Sequence, residues 1–184
     1  MMMALTPEFT PGQLVSGDVV SVSLMAPVAR FSLRLRAADI PAVSTAIGVD
    51  LPTRIGACAH HETVEVMCLG PDEWQIQTDA NDSVRLINAC AAIYAQVPHS
   101  LTDISAREVT ISIEGPGAVD LLSIGCPRDI DKIAIGTGCR TVFDGVSTVL
   151  WRDGETRFRL DIWRSFAPHV IGLIQTGCAE LAAQ

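Results

Sequence analysis

Short segments in which apolar and polar residues alternate constrain the fold of this chain more than any other feature. Residues 31–36, Phe-Ser-Leu-Arg-Leu-Arg, alternate in this way, and residues 74–77 and 109–113 repeat the pattern. Because successive side chains of a strand point to opposite faces, such segments predict strands with one buried face. Apolar residues at helical spacing lie between these segments. The sequence therefore predicts an α+β fold with antiparallel sheets.

The first half of the chain predicts the element order β-α-β-β-α-β. The strand at 31–36 is followed by a helix over 39–46, a hairpin over 63–77, a helix over 81–96 and an edge strand over 100–104. Proline, aspartate and glycine separate these segments and supply the turns and helix ends. This order is the split unit of a ferredoxin-like fold.

The second half predicts a related set of elements. A strand over 109–113 leads into a helix over 118–124, a hairpin over 139–151 and a further strand over 156–162. An Asp-Gly pair in the hairpin supplies the positive φ angles of a tight turn. Ser165 is predicted to cap the last helix. We therefore expect two ferredoxin-like halves, each with an antiparallel sheet and helices on one face.

The predicted domain organisation follows from where the turn residues cluster. Residues 1–17 contain two prolines and two glycines with little periodicity, which predicts an irregular N-terminal arm, either disordered or docked on a partner. Residues 18–184 are predicted to form a single compact two-lobed domain, with lobes at about 18–105 and 106–184. A chain of this length can bury a full core without a disulfide or a metal ion.

The composition points to a protein that is covered by a partner. Only 18% of the residues are charged, 48% are apolar, and the mean hydropathy is +0.33. A domain with so few charges is expected to bury part of its outer surface against another protein. The net charge of −8 and the absence of a basic stripe argue against binding to nucleic acid or to anionic lipid.

The expected location is the cytoplasm. The first basic residue is Arg30, so no signal peptide is recognisable, and no apolar run is long enough to span a bilayer. The six cysteines lack the close spacing of zinc or CxxC redox sites, and most have apolar neighbours. Buried free thiols are typical of a reducing compartment.

No catalytic, cofactor-binding or metal-binding constellation is predicted. His60 and His61 are adjacent, so in a strand they would point to opposite faces, and a solvated loop is the preferred interpretation. Ser105 and Ser165 lack the GxSxG pattern of a nucleophile elbow. The glycines at 136–138 lack the lysine and spacing of a phosphate-binding loop, and no dinucleotide fingerprint is present.

The segment from Trp163 to Phe166 supplies the candidates for partner binding. Trp163, Arg164, Ser165 and Phe166 lie where a predicted strand passes into the last helix. Tryptophan and arginine are enriched at protein interfaces, and a guanidinium can bind a partner's carboxylate or carbonyl oxygens. The alternative is that Arg164 ties this chain's own loop to a carboxylate such as Asp161.

The chain resembles the gamma subunit of heterotetrameric sarcosine oxidase from about residue 31 to the C-terminus. The segments that carry the resemblance are 69–74 (Leu-Gly-Pro-Asp-Glu-Trp), 103–107 (Asp-Ile-Ser-Ala-Arg), 113–118 (Ile-Glu-Gly-Pro-Gly-Ala), 121–130 (Leu-Leu-Ser-Ile-Gly-Cys-Pro-Arg-Asp-Ile), 138–141 (Gly-Cys-Arg-Thr) and 163–167 (Trp-Arg-Ser-Phe-Ala). Each segment is weak alone, but the set is fairly specific.

The resemblance implies a fold and a function. The family's fold is similar to the folate-binding domains of the glycine-cleavage aminomethyltransferase. Its function is that of a subunit in a soluble enzyme that oxidatively demethylates sarcosine to glycine, with formaldehyde or methylene-tetrahydrofolate and hydrogen peroxide as the other products. The alpha, beta and delta subunits are then the partners. They are expected to hold FAD, FMN, NAD, tetrahydrofolate and zinc, and this chain none of them.

Two other hypotheses stay open at this point. One is a stand-alone tetrahydrofolate-binding or aminomethyltransferase-like protein, for which Asp103 and Glu114 are the candidate acids facing the pterin ring. The other is a homo-oligomeric interaction protein that uses the same apolar surface for self-association.

Overall fold

The computed structural model describes residues 9–183, which form two compact units. The first unit contains residues 9–27, 107–135 and 141–183, and the second contains 28–106 and 136–140. The N-terminal part of the chain therefore belongs to the same unit as the C-terminal part.

Eleven strands and four α-helices make up the described residues. The strands are β1 (Gly12–Val15), β2 (Ser21–Leu24), β3 (Ala29–Arg34), β4 (Cys58–His61), β5 (Val64–Gly70), β6 (Glu73–Thr78), β7 (Ser100–Asp103), β8 (Glu108–Glu114), β9 (Thr137–Phe143), β10 (Val146–Arg152) and β11 (Arg157–Trp163). The helices are α1 (Ile40–Ile47), α2 (Ala80–Ile93), α3 (Ala118–Ser123) and α4 (Ala167–Ala182), with short 3-10 helices at Ala37–Asp39 and Ile130–Lys132.

The second unit contains a five-stranded antiparallel sheet in the order β4-β5-β6-β3-β7. All elements of the predicted β-α-β-β-α-β order are present, and β4 is an additional strand between α1 and β5. The predicted edge strand is β7. The solvated loop expected around His60 and His61 is wrong, because these residues end β4. In β4 they pair with Glu65 and Val64 of β5. A four-residue strand with two exposed residues has little periodicity, so sequence alone did not reveal it.

One face of this sheet forms an apolar core with α1 and α2. The core residues include Phe31 and Leu33 of β3, Ile76 of β6 and Leu86 of α2, all at most 1% exposed. The indole Nε1 of Trp74 donates a hydrogen bond to the carbonyl oxygen of Pro52 at 2.7 Å, so the only polar atom of this buried side chain is satisfied.

Helix α2 starts earlier than predicted. Asp79 is its N-cap, and the Asp79 carboxylate accepts a hydrogen bond from the backbone N–H of Asp82 at 2.7 Å. The sequence placed the cap at Asn81 or Asp82, which is wrong. Three similar polar residues within four positions are equally good caps by type, so only the backbone geometry distinguishes them.

The six-stranded sheet has the order β1-β2-β8-β11-β10-β9 and belongs to the first unit, except that residues 137–140 of β9 are assigned to the second. In the second unit, β7, which follows α2, lies beside β3, the first strand of that unit. In the first unit the corresponding position, beside β8, is occupied by β2, which precedes β8 in the chain. The second half is therefore completed by a strand from the N-terminal part of the sequence.

This arrangement corrects the predicted N-terminal arm. Within its described part, Gly12–Val15 is a strand that pairs antiparallel with β2, so an irregular arm is wrong there. Residues 1–8 of the predicted arm lie outside the described residues. The pairing depends on β2 being available as a neighbour, which local periodicity does not show.

Helices α3 and α4 of the first unit pack against each other and contribute buried apolar residues. Leu121 and Leu122 of α3, and Val170 and Ile174 of α4, are at most 1% exposed. Gly177 of α4 allows close packing on α3, since a Cβ atom there would lie 2.8 Å from the Cδ1 atom of Leu121.

Helix α4 begins one residue later than its predicted cap implies. The predicted capping of α4 by Ser165 is wrong, because Phe166 occupies the N-cap position and makes no side-chain cap hydrogen bond. None of the helices within residues 9–183 is both long and apolar enough to cross a membrane.

Candidate partner interface

An exposed pair of aromatic side chains lies where β11 ends and α4 begins. Trp163 is 42% exposed and Phe166 is 46% exposed, and their ring centroids are 6.4 Å apart. The turn between them is held by backbone hydrogen bonds from Arg164 N–H to the Arg107 carbonyl oxygen and from Phe166 N–H to the Trp163 carbonyl oxygen. Ser165 is also exposed in this turn. The fold therefore places three of the four predicted interface residues, Trp163, Ser165 and Phe166, at the surface, with Arg164 partly buried.

Two arginines lie against aromatic rings at this surface. The guanidinium carbon of Arg107 is 5.2 Å from the ring centroid of Trp163, and that of Arg164 is 5.3 Å from the ring centroid of Phe9. A cation over an aromatic face is held by the ring quadrupole. Arg107 is also held by Glu108, whose Oε1 accepts hydrogen bonds from Arg107 Nε at 3.1 Å and Nη2 at 2.7 Å. We call the set Phe9, Arg107, Trp163, Arg164 and Phe166 the aromatic–arginine surface.

The alternative prediction was an ion pair between Arg164 and Asp161, and the structure gives each of these residues other partners. Asp161 is 2% exposed and accepts hydrogen bonds from Thr110 Oγ1 at 2.6 Å and from Trp151 Nε1 at 2.8 Å. The guanidinium of Arg164 lies instead on the ring of Phe9. Partner binding by the Trp163–Phe166 segment stays a prediction.

The sequence analysis did not predict a charge cluster in the second unit, in which two arginines bind Glu73. Glu73 is 9% exposed and receives hydrogen bonds from Arg34 at 2.9 Å and from both terminal nitrogens of Arg140. Arg34 also contacts Asp72 at 3.3 Å. Bidentate arginine–carboxylate pairs are strong and directional. The cluster therefore joins the two motif segments 69–74 and 138–141, which lie far apart in the chain.

Asp103 and Glu114, the candidate pterin-facing acids, make local hydrogen bonds. Asp103 accepts from the backbone N–H of Ser105 at 2.8 Å and from its hydroxyl at 2.6 Å. These hydrogen bonds lower the pKa of the Asp103 carboxyl below its usual value. Glu114 is exposed and accepts from Ser112 Oγ at 2.9 Å. Asp103 therefore caps the local turn at residues 103–105, and Glu114 is bonded within its own strand.

The histidines do not assemble into a cluster. His169 Nε2 lies 2.7 Å from an Asp144 carboxylate oxygen, and the ring of His99 packs edge-on against Tyr94 at 5.6 Å. Within residues 9–183, no group of three or more His, Cys, Asp or Glu side chains is arranged to hold a metal ion.

Comparison with known proteins gives three sequence relatives with the same name. The chain is 28% identical to the sarcosine oxidase subunit gamma of Corynebacterium sp. (strain U-96) over 145 residues, which is 77% of this chain and 70% of the relative. The gamma subunit of an Arthrobacter species gives the same identity and coverage. No protein-family model matches the chain.

Solved structures agree with the sequence relatives. A chain of the heterotetrameric sarcosine oxidase from Corynebacterium sp. U-96 in complex with pyrrole 2-carboxylate superposes with a TM-score of 0.83 and 27% identity. The match covers 92% of this chain and 89% of that chain. The glycine-cleavage aminomethyltransferase T of Bartonella henselae matches with a TM-score of 0.64 at 13% identity, over 82% of this chain and 44% of that one, and shows the fold alone.

These matches confirm two expectations from the sequence. The α+β class with two antiparallel sheets and the aminomethyltransferase-like fold are confirmed. The resemblance carried by the six motif segments is confirmed as well. The chain is related in sequence to the gamma subunits of sarcosine oxidase, and in fold to a chain of the heterotetrameric enzyme.

Proposed function

We propose that this chain is a non-catalytic gamma-type subunit of a heterotetrameric sarcosine oxidase. The assembled enzyme would demethylate sarcosine oxidatively to glycine, with formaldehyde or methylene-tetrahydrofolate and hydrogen peroxide as the other products. The observation that carries the proposal is the structural match, which spans nearly the whole of both chains. A likeness of this extent involves both sheets and the connections between them, and a shared single motif would not produce it.

The proposed partners are the alpha, beta and delta subunits of the enzyme. In this proposal FAD, FMN, NAD, tetrahydrofolate and zinc are held by those subunits, and the assembly works in the cytoplasm in sarcosine catabolism and one-carbon metabolism. The contribution of this chain is to pack against a larger subunit and support a pocket or channel formed there. The low charge content supports this role, because weakly charged surface is readily buried against protein.

The aromatic–arginine surface is the proposed docking site for a partner subunit. It combines two large exposed rings with guanidinium groups that are partly oriented by stacking. Buried Trp and Arg side chains dominate the energy of many interfaces, because the rings supply area and the guanidinium supplies directed hydrogen bonds. Trp163, Arg164 and Phe166 are therefore the residues whose substitution should weaken the assembly most.

Co-expression tests this proposal. The tagged chain is expressed with the products of the adjacent genes, and the captured complex is examined for subunit composition, flavin absorbance and turnover of sarcosine. We expect a stoichiometric complex with flavin and activity, whereas the isolated chain should show neither. A purified single chain that carries flavin and oxidises sarcosine would contradict the non-catalytic role.

The second candidate function is that of a stand-alone tetrahydrofolate-binding protein, for which the match to aminomethyltransferase T shows a shared fold alone. In that case the chain alone would bind tetrahydrofolate, with Asp103 or Glu114 facing the pterin ring. Isothermal titration of the isolated chain with tetrahydrofolate separates the two functions: micromolar binding supports the second, and no heat supports the subunit role. Light scattering of the same sample tests the third hypothesis, self-association.

A further inference from the structure

A groove of about 630 Å³ in the second unit lies between helix α2 and the edge strand β7. Phe31 and Leu101 on the sheet, Ile87 and Ala91 on the helix, and Tyr94 directly after it are among the side chains that line the groove. Ile87 is 43% exposed and Tyr94 is 56% exposed, although both lie on the side of α2 next to the groove. The groove is thus an apolar depression that is open to solvent.

Among residues 9–183, strand β7 has a neighbouring strand on one side only, so its other edge is open beside this groove. It is the last strand of the sheet order and pairs with β3 on one side. The backbone N–H of Ile104 donates to the Arg30 carbonyl oxygen at 2.8 Å, which identifies Ile104 as a hydrogen-bonded position. Along an antiparallel strand, residues whose backbone groups bond to the neighbouring strand alternate with residues whose backbone groups point away from it. Leu101 and Asp103 therefore direct their N–H and C=O groups away from β3.

The side chains of these two residues face the groove. Leu101 lies opposite Leu33 in the β3–β7 register, and Asp103 lies opposite Phe31. Leu101 packs on the apolar core, and Asp103 lines the groove. The same two residues therefore direct backbone groups away from β3 at the edge and define one apolar and one acidic position beside it.

An open strand edge next to a helix-lined groove fits one kind of ligand especially well. An extended peptide can add to the edge through backbone hydrogen bonds, while its alternate side chains enter the groove. A helix lying in the groove would bury apolar area but would leave the β7 backbone groups unpaired. The edge and the groove together favour a strand.

We propose that β7 binds an extended segment of a partner protein as an additional strand, with an apolar side chain of that segment in the groove and a Lys or Arg side chain near Asp103. Charge complementarity supports this occupant, since Asp103 is an exposed carboxylate on a chain of net charge −8. A second copy of the chain that paired through its own β7 would bring the sequence Ser-Leu-Thr-Asp, which offers no Lys or Arg side chain to Asp103. The proposal does not depend on the sarcosine oxidase assignment.

The first experiment selects ligands without assuming the partner. Random short peptides displayed on phage are panned against the immobilised full chain, and the enriched peptides are synthesised. We expect enrichment of sequences with an apolar residue two positions from Lys or Arg. Hydrogen–deuterium exchange with the bound peptide should slow the backbone amides of Leu101 and Asp103, because strand addition pairs them.

A groove-filling variant provides the matched test. Ala91→Trp on α2 should weaken peptide binding by about tenfold or more, whereas Ala42→Trp at an exposed position of α1 should leave the affinity unchanged. Circular dichroism verifies that both variants fold, and the exchange data on the unmodified chain stand even if one does not.

Three outcomes would overturn the proposal. The first is that no peptide is enriched by the folded chain. The second is that the enriched peptide binds the Ala91→Trp variant as tightly as the unmodified chain, or leaves the exchange at Leu101 and Asp103 unchanged. The third is light scattering that shows self-association abolished by Ala91→Trp, which would identify a second copy as the occupant.

Discussion

Trp163→Ala is the substitution that tests the proposed docking surface most directly. The side chain of Trp163 is 42% exposed in the isolated chain. For a residue that presents up to about 250 Å² in all, this exposure corresponds to roughly 100 Å² available to a partner. At about 25 cal/mol per Å², covering that area contributes about 2.5 kcal/mol to binding. The dissociation constant of the complex should therefore rise by roughly 70-fold.

The same substitution should have a small effect on the isolated chain. The contact that it removes inside the chain is the stacking of Arg107 on the indole ring at 5.2 Å, together with the tilted packing of Phe166 at 6.4 Å. An exposed cation–π pair contributes about 0.5–1 kcal/mol. We expect the free energy of unfolding to fall by about 1 kcal/mol, which leaves a folded chain for the binding experiment.

The assay measures the affinity of the purified chain for the co-expressed partner subunits by titration calorimetry, and stability by urea denaturation. Ile55→Ala is the matched control, because Ile55 is 61% exposed but lies in the second unit. A folded Trp163→Ala variant that binds the partners as tightly as the unmodified chain would refute the assignment of this surface. Equal losses for Trp163→Ala and Ile55→Ala would refute it too.

Two further predictions concern the second unit. Ser44→Ala should lower the free energy of unfolding by about 1–2 kcal/mol, because Ser44 Oγ accepts a hydrogen bond from the buried N–H of Leu51 at 3.0 Å and the small gain in helix propensity does not offset an unpaired donor. Urea denaturation checks this against Thr45→Ala, an exposed control expected to be neutral, and equal stability of the two variants would contradict the reasoning. Burial raises the pKa of the Cys90 thiol from 9.0 to about 11, so stability should fall as the pH rises from about 9 to 11, where the unfolded thiol ionises first. Cys90→Ala should flatten that decline in urea midpoints, and an unchanged slope would count against it.

Local patterns were sufficient to predict most elements of the fold. Alternation in 31–36 and 109–113 predicted β3 and β8, and the Asp-Gly pair at 144–145 predicted the turn between β9 and β10. Asp144 and Gly145 both have positive φ angles, as that turn requires. Such signals succeed because they depend on a few neighbouring residues.

Predictions that needed a spatial neighbour were wrong or missing. Strand β1 was predicted as an irregular arm, and β4 was predicted as a loop, because each is short and depends on the strand beside it. The pairing of Glu73 with Arg140 was missed, since 67 positions separate them in the chain. No local spacing rule links residues so far apart.

Residue type and periodicity, which are local, were enough to predict the α+β class, most of the strands and helices, the edge position of β7 and the motif segments of the gamma-subunit resemblance. The choice of β2 as the neighbour of β8 and the meeting of segments 69–74 and 138–141 were decided by tertiary structure. The physical reason is that hydrogen-bonded pairing and burial depend on which distant surfaces meet, and a contact between distant residues leaves no periodic trace in the sequence.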